Sequence, residues 1–465
     1  MPSPVRSVDD AIPRSLWLDR LEERPARPAL DGDTQVDVAI VGGGFSGLWT
    51  AYYLSLCDPS LRVAVVERHV CGFGASGRNG GWAVGELAGS TTKYAALGSM
   101  DAALRLERAA FDAVDEIGRV AAAEGIDCGY AKGGNIRLAR TQPQADRQRV
   151  EVETAHAHGF TEDEIRLLGP DDARAHLHAP DVRSGIFFAP CASLDPGRLV
   201  RGLADVVEGR GVAVYEQTTV ESIGDREVVT DRGTVRADVT VTATEAYTRD
   251  LAGERRRLLP VYSLMVATEP LPAEIVARIG LDGRPTFGDD RRIVVYGQRT
   301  EDDRIAFGSQ GVPYLFGSRI DPSTEEHLDS HRAIHDTLVE LIPELRDVAI
   351  THRWGGVLGI PRNWVPSVRF DRSTGAASLG GYVGEGVAAS NLAGRTLAEL
   401  IVGADTERTT LPWVDAVSRR WEPEPLRWMG VRASRAILGS ADRREHRTDR
   451  PDRFATWLAG ALRGD

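Results

Sequence analysis

Two apolar runs joined by a glycine-rich turn stand out near the start of the chain. Val38-Ala-Ile-Val41 is uninterrupted hydrophobic sequence, the pattern of a strand buried on both faces. It enters Gly42-Gly-Gly-Phe-Ser-Gly47, then helical sequence, and a second run, Val63-Ala-Val-Val66, ends on Glu67. The spacing predicts a βαβ unit over about 36–67. Farther on, Met100, Leu104, Leu106, Phe111, Val114, Ile117 and Val120 recur at helical spacing and predict a helix over 100–125. Gly134 to Ala139 alternates as a strand does, and the charged stretch 140–180 reads as helices and turns. A helix from Leu194-Asp-Pro-Gly-Arg198 leads to a strand at Val212–Tyr215. Short strands follow at Glu227–Thr230 and Thr234–Arg236, and the strand Val239–Thr244 returns toward the first unit. Further strands are predicted at Val261–Ala267, Arg292–Tyr296 and Arg304–Gly308. An amphipathic helix over 324–342 stops at Pro343. Residues 1–35 lack periodicity and are expected to drape over the surface. Beyond Gly403 the pattern is helices and polar turns, with Trp413, Trp421 and Trp428 packing them onto the body.

The strand–turn–helix–strand order gives the glycines a job. Gly42 permits a tight turn, Gly44 lets the backbone approach a pyrophosphate, and Gly47 lets helix and strand pack closely. The helix N-terminus, with Phe45 and Ser46 in its first turn, offers free N–H groups and the positive end of a dipole to phosphate. Glu67, twenty positions after Gly47 and followed by Arg68, is placed to accept hydrogen bonds from ribose hydroxyls. The order matters, because GxGxxG alone is a weak signal in a chain with 49 glycines.

Composition narrows the class. The length, with 42% hydrophobic and 27% charged residues, suits a soluble two-domain enzyme. A net charge of −12 disfavours nucleic acid. No apolar run is long enough to span a membrane, and no signal peptide is visible. Cys57, Cys71, Cys128 and Cys191 lie far apart, so reduced thiols in a cytoplasmic protein are expected. His156, His158, His176 and His178 carry no metal-site spacing and read as surface residues; no metal is expected.

Two later segments decide between dinucleotides. Ser76-Gly-Arg-Asn-Gly-Gly81 follows the ribose acid, where bare backbone N–H groups can lie along an extended ligand. Gly380-Gly-Tyr-Val-Gly-Glu-Gly386 feeds a helix whose N-terminal dipole suits the N1–C2=O2 locus of a reduced flavin. With Leu194-Asp-Pro196 and Trp354-Gly-Gly356, these segments make the chain resemble the FAD-dependent D-amino-acid oxidase/glycine oxidase/sarcosine oxidase group. Within it, the chain is most similar to gamma-glutamylputrescine oxidase-like members. The resemblance runs from residue 36 to about 402.

It implies an α/β fold of mixed α+β character, with a Rossmann-type FAD-binding domain on a parallel sheet. A substrate domain on a mixed, largely antiparallel sheet is interleaved with it. The implied boundaries are 36–125, 190–258 and 345–403 for the FAD domain, 126–189 and 259–344 for the substrate domain, and 404–465 for a helical extension. The implied FAD contacts are Gly42, Gly44, Gly47, Glu67, Arg78, Asn79, Gly80 and Gly81, with Gly384, Glu385, Gly386 and Val387. Phe45, Ser46, Arg68, Ser76 and Gly77 complete the set, with Val220 at the adenine end and Thr244 beside it. Glu245 departs from the pattern, standing where a small or amide residue is common.

The implied reaction is oxidation of a C–N bond in a small amine or amino acid. Hydride transfer to flavin N5 gives an imine, which hydrolyses to an aldehyde or oxo acid. Trp82, Tyr296, His352, Trp354 and Tyr382 are candidates for the aromatic pocket that holds a neutral amine. Arg299 and Arg353 are candidates for an acidic substrate group. Sarcosine-oxidase-like relatives place an oxygen-activating lysine near the position of Tyr296-Gly-Gln298. This chain has only Lys93 and Lys132, which leaves oxygen or another electron acceptor open. No cysteine follows Cys191, so non-covalent FAD is expected. The competing readings are a monooxygenase or NAD(P)H-dependent reductase, and a non-redox FAD-fold module.

Overall fold

A computed structural model describes residues 7–312 and 314–463. The strand Thr34–Val41 lies at the centre of an eight-stranded sheet. It pairs in parallel with Val63–Val66 on one side and Gly233–Thr242 on the other. Ala213–Tyr215 and Ala376–Gly380 extend the parallel core outward, and Ser367–Asp371 forms an antiparallel edge. Parallel neighbours require crossovers, and the helices Phe45–Cys57, Pro196–Gly209 and Gly386–Val402 pack as layers on this unit. Residues Phe45 to Leu54 are buried on every side of their helix, which explains its lack of an amphipathic stripe.

The second sheet also has eight strands. Its order is Ile350–Pro361, Leu258–Thr268, Ile305–Val312, Val295–Arg299, Thr286–Asp289, Asn135–Ala139, Ser184–Phe188 and Ile165–Leu168. All pairs are antiparallel except Thr286–Asp289 with Asn135–Ala139. The helix Leu328–Leu341 covers one face through Ile334, Leu338 and Leu341. A two-stranded ribbon, Trp82–Val84 with Cys191–Ser193, lies between the sheets.

Several expectations are corrected here. Thr234–Arg236 and Val239–Thr244 form one strand, Gly233–Thr242, whose first half pairs with Glu227–Thr230 while Thr34–Val41 spans its length. The strand predicted at Arg292–Tyr296 starts at Val295, and Thr286–Asp289 is a short buried strand the pattern does not announce. The resemblance assigns 345–403 to the FAD domain, whereas Ile350–Pro361 within it pairs with Leu258–Thr268 in the second sheet. The lead-in does not simply drape over the surface. Its short helix Leu16–Asp19 buries Leu16 and Trp17, because their apolar surface fits between the glycine loop and the second sheet.

The tail docks as predicted. Trp413 and Trp421 are buried, and the Trp421 Nε1 donates to Ile360 O at 2.7 Å. Glu445 of the helix Leu426–Thr448 is buried against Arg292 (2.6 Å) and Arg147 (3.0 Å). Among the described residues no helix is long and apolar enough to cross a membrane, and no group of three His, Cys, Asp or Glu could hold a metal.

Candidate active site

The nucleotide end follows from local sequence. Gly42 has φ +112°, and a Cβ there would lie 2.5 Å from Ala243 O. A Cβ on Gly47 would sit 2.0 Å from Gly42 O, so the helix reaches the turn only because that atom is missing. Gly44 is the N-cap of Phe45–Cys57 and supplies no side-chain cap. Ser76 Oγ accepts from Phe45 N at 2.9 Å, which ties the second glycine loop to this helix N-terminus. Glu67 accepts from Gly43 N (2.8 Å) and His69 N (2.9 Å). Burial raises its carboxyl above the ordinary range, and those two N–H groups oppose the rise. Thr244 flanks Gly42, and Thr218, just before Val220, donates its N–H to Glu67 O at 3.0 Å. Arg68 turns instead to Asp250 (3.4 Å) and the Tyr247 ring.

The loop from Ser76 to Gly81 is held by its carbonyls. Ser15 Oγ donates to Gly77 O (2.9 Å) and Trp354 Nε1 to Arg78 O (2.9 Å). Trp17 Nε1 donates to Asn79 O (2.8 Å) and Gln298 Nε2 to Gly80 O (2.7 Å). Four consecutive carbonyls are thus engaged by side chains from the lead-in and the second sheet. The Asn79 side chain closes the loop on itself, donating to Ser76 O (2.9 Å) and accepting from Gly81 N (2.8 Å). Arg78 pairs with Glu325 and donates to Phe73 O, so its charge is balanced within the protein.

Register explains the floor beneath this loop. Trp354, Met265, Gly308 and Tyr296 are successive partners across four strands, so their positions share one face. Gly80 and Gly308 clear space for the Tyr296 ring; a Cβ on either would lie within 2.7 Å of it. Trp82 meets Tyr296 edge-on at 5.9 Å, and Tyr296 Oη bonds Ser263 Oγ at 2.7 Å. Arg137 pairs with Gly288, one step beyond Phe287↔Gly297, and falls on the Tyr296 face.

The third segment completes the site. Gly380, Gly381, Val383 and Gly384 all have positive φ, and the helix Gly386–Val402 then begins with no side chain capping its N-terminus. A β-branched residue at φ +59°, as Val383 is, is strained and persists only when its surroundings hold it. Val387 is buried in the core behind the first turn. Glu385 is pushed up to about 8 by burial, with Glu86 adding repulsion and Arg137 opposing it. Burial also raises Glu86, although its side chain is reached by solvent, as befits a residue in a concavity. Burial pushes Tyr296 up to about 12, and the charge of Glu385 adds to the rise.

The candidate pocket residues separate. Trp82 and Tyr296 come together on the floor. Trp354 stands behind the loop, its indole N–H committed to Arg78 O and its ring edge-on to Trp17 at 6.2 Å. Tyr382 faces the nucleotide side, with Oη 2.9 Å from Ser46 Oγ. His352 anchors the lead-in through Asp19 (3.2 Å), away from the loop. Arg353 lies on the opposite face from Trp354 and donates to Glu326 O. Arg299 lies on the opposite face from Tyr296 and Gln298 and pairs with Asp303 at 3.1 Å. Neither arginine reaches the floor. Sequence reading missed Trp17, Gln298, Glu86 and Arg137. Trp17 carried a signal, an apolar Leu16-Trp-Leu18 triplet inside polar sequence.

The residues fit FAD. The helix Gly386–Val402 starts with no side-chain cap, the helix Phe45–Cys57 is met at its start by Ser76 Oγ, and Glu67 and the braced glycine loop lie beside that first start. The FAD dependent oxidoreductase family model matches residues 37–400, and the chain belongs to that family. FAD is therefore its cofactor. A probable oxidoreductase, OrdL, of Haemophilus influenzae is 30% identical over 408 residues, 86% of this chain and 90% of that protein. The gamma-glutamylputrescine oxidoreductase of Escherichia coli is 30% identical over 378 residues, 80% of this chain and 84% of that protein. Among solved structures, the glycine oxidase of Geobacillus kaustophilus shares the fold with a TM-score of 0.66 at 21% identity. The match covers 80% of this chain and 96% of that one.

Proposed function

We propose that this enzyme oxidises a C–N bond of a small, cationic amine, and that Trp82, Tyr296, Glu86 and Glu385 form the substrate end of its site. The observation that carries the reading is the charge balance around the floor. Glu86 lies near enough for its charge to act on Glu385, while Arg137 is paired with Glu151 and with Asp290 at 3.3 Å. An ammonium brought beside these carboxyls favours their ionised form, and the ionised surface attracts a cation and repels an anion. The two arginines suited to an acidic substrate turn away from it.

Bound FAD supplies the two-electron acceptor for the α C–H bond. The protein's part is to hold the amine, keep it dry and take its proton. Trp82 and Tyr296 give an aromatic floor that orients the carbon chain and excludes water. A carboxyl lifted to about 8 is matched to removing a proton from a substrate ammonium near neutral pH, and we assign that role to Glu385. The resulting imine hydrolyses to a carbonyl compound and an amine or ammonia.

A second reading, a dehydrogenase using another acceptor, is favoured by the lysines. Lys93 donates to Asn363 O at 2.7 Å and Lys132 pairs with Asp115, so neither approaches Tyr296-Gly-Gln298. FAD is held without a covalent bond in this reading: Cys191, the thiol on the ribbon beside the floor, is buried against Thr286 Oγ1 at 3.2 Å. Free, mostly buried cysteines and the acidic balance support a cytoplasmic enzyme acting on small molecules. The test is anaerobic mixing with cationic amines, with acidic amino acids and with NADPH, followed by air and peroxide detection. Cationic amines should bleach the flavin fastest. Bleaching by NADPH alone rejects the proposal, and rapid peroxide formation rejects the dehydrogenase reading.

A further inference from the structure

Glu245 joins three parts of the molecule that the sequence keeps far apart. It follows Thr244 at the end of the central strand Gly233–Thr242 and has φ +43°. Its Oε1 accepts from both Gly381 N and Tyr382 N, each at 3.2 Å. Its Oε2 is buried with no hydrogen-bond partner and stands against Gly359 of the second sheet, where a Cβ would lie 2.4 Å away. One carboxyl thus sits where the nucleotide sheet, the second sheet and the Gly380–Glu385 turn meet.

That turn cannot support itself. Four of its residues have positive φ, one of them β-branched, and it delivers the uncapped start of the helix Gly386–Val402. Gly380 is anchored by pairing with Ser367, and Glu385 N donates to Tyr382 O at 3.0 Å; the side-chain hydrogen bonds that tie the turn to other segments include the two to Glu245 and the Tyr382–Ser46 bond. We propose that Glu245 is a positioning residue whose carboxylate clamps this turn, aims the helix N-terminus at the reactive end of the cofactor, and couples that aim to pH. The coupling has a simple origin. An ionised carboxylate is the stronger acceptor for two N–H donors, whereas its neutral form loosens them.

Burial pushes this group up to about 7, with the backbone N–H groups of Tyr382, Gly381 and the adjacent Gly359 opposing the rise. Both forms are therefore populated near neutrality. The other charged or titratable groups around it are Tyr382 on the turn, Arg257 on the approach to Leu258–Thr268, and Arg369 on the edge strand Ser367–Asp371. The two arginines line the same cavity of about 70 Å³. Arg257 is engaged by Ser378 Oγ at 3.0 Å and Glu254 at 3.6 Å.

The inference rests on FAD as cofactor but not on the identity of the substrate, and its test uses the oxidised holoprotein without substrate. The wild-type flavin absorbance should show a transition centred within about one unit of pH 7. Glu245→Gln keeps an oxygen for both N–H groups but cannot ionise, so it should retain FAD and lose the transition. Glu245→Ala should bind FAD about tenfold more weakly, with a shifted flavin spectrum. Because Glu385 titrates at about 8 nearby, the profile is read in a Glu385→Gln background. A transition near pH 7 that persists there after Glu245→Gln, or Glu245→Ala with wild-type affinity and spectrum, overturns the proposal. Should Glu245→Ala fail to fold, the pH profile of Glu245→Gln still decides. A protein that passes this test but is not bleached by amines would sink the proposed reaction and leave Glu245 in its role.

Discussion

The two ends of the cofactor site are built in different ways. At the nucleotide end, Gly42, Gly44, Gly47 and Glu67 lie within one βαβ unit; the glycines act through backbone geometry and Glu67 through a carboxylate held by the neighbouring Gly43 and His69 N–H groups. At the flavin end, the loop Ser76–Gly81 is braced by Ser15, Trp17, Gln298 and Trp354, drawn from the lead-in and two strands of the other sheet. One end tolerates no extra atom. The other tolerates change in proportion to the brace removed.

The sharpest way to break the comparison is Gly44→Asp, which puts a side chain and a negative charge at the N-cap of Phe45–Cys57, against Ser76 Oγ. The purified protein should be colourless, and a yellow protein with a normal flavin spectrum would refute the site. Gln298→Leu should be milder. It strips buried donors from Gly80 O and Leu194 O, at about 1–3 kcal/mol for each carbonyl left unsatisfied. FAD should remain bound with a shifted visible spectrum; full loss of FAD would mean that the flavin end is as unforgiving as the nucleotide end.

Glu385→Gln tests the charge at the flavin end without touching its backbone. The folded carboxyl titrates near 8 instead of 4.5, so its favourable contribution is complete below 4.5 and is lost as pH rises through 8. Melting temperature of the FAD-free protein should therefore fall across that window, less steeply in Glu385→Gln. The same variant should raise the KM for cationic amines more than for neutral ones. Equal melting profiles would remove the buried charge from this account. Smallest of all should be Trp354→Phe, which leaves only one carbonyl, Arg78 O, without its donor, at about 1–3 kcal/mol by denaturant melts. Flavin reduction by amine should barely change, whereas a collapse of kcat would return Trp354 to the substrate pocket.

Much of the fold was legible from spacing. The βαβ unit and the helix Met100–Ala123 appear where the apolar pattern put them. What pattern could not reveal was which face of a strand meets which neighbour. Arg353 and Trp354 are adjacent in sequence and lie on opposite faces of one strand, and only pairing with Leu258–Thr268 shows which face meets the loop. Arg299 and Tyr296 divide in the same way. Glu245 looked like a departure from pattern, and the turn it holds lies far along the chain, at Gly381 and Tyr382.

By itself, the sequence pointed to a dinucleotide site on the Gly42–Gly47 turn, since the geometry there depends on missing side chains and short spacing. The glycine-rich segments at 76–81 and 380–386 extended that reading to FAD. Tertiary structure decided the rest: which aromatics form the floor, which carboxylates remain without a partner, and how a strained turn is held. Those outcomes depend on long-range register and burial, and burial, with the charge of Glu86 adding to it, lifts Glu385 to about 8.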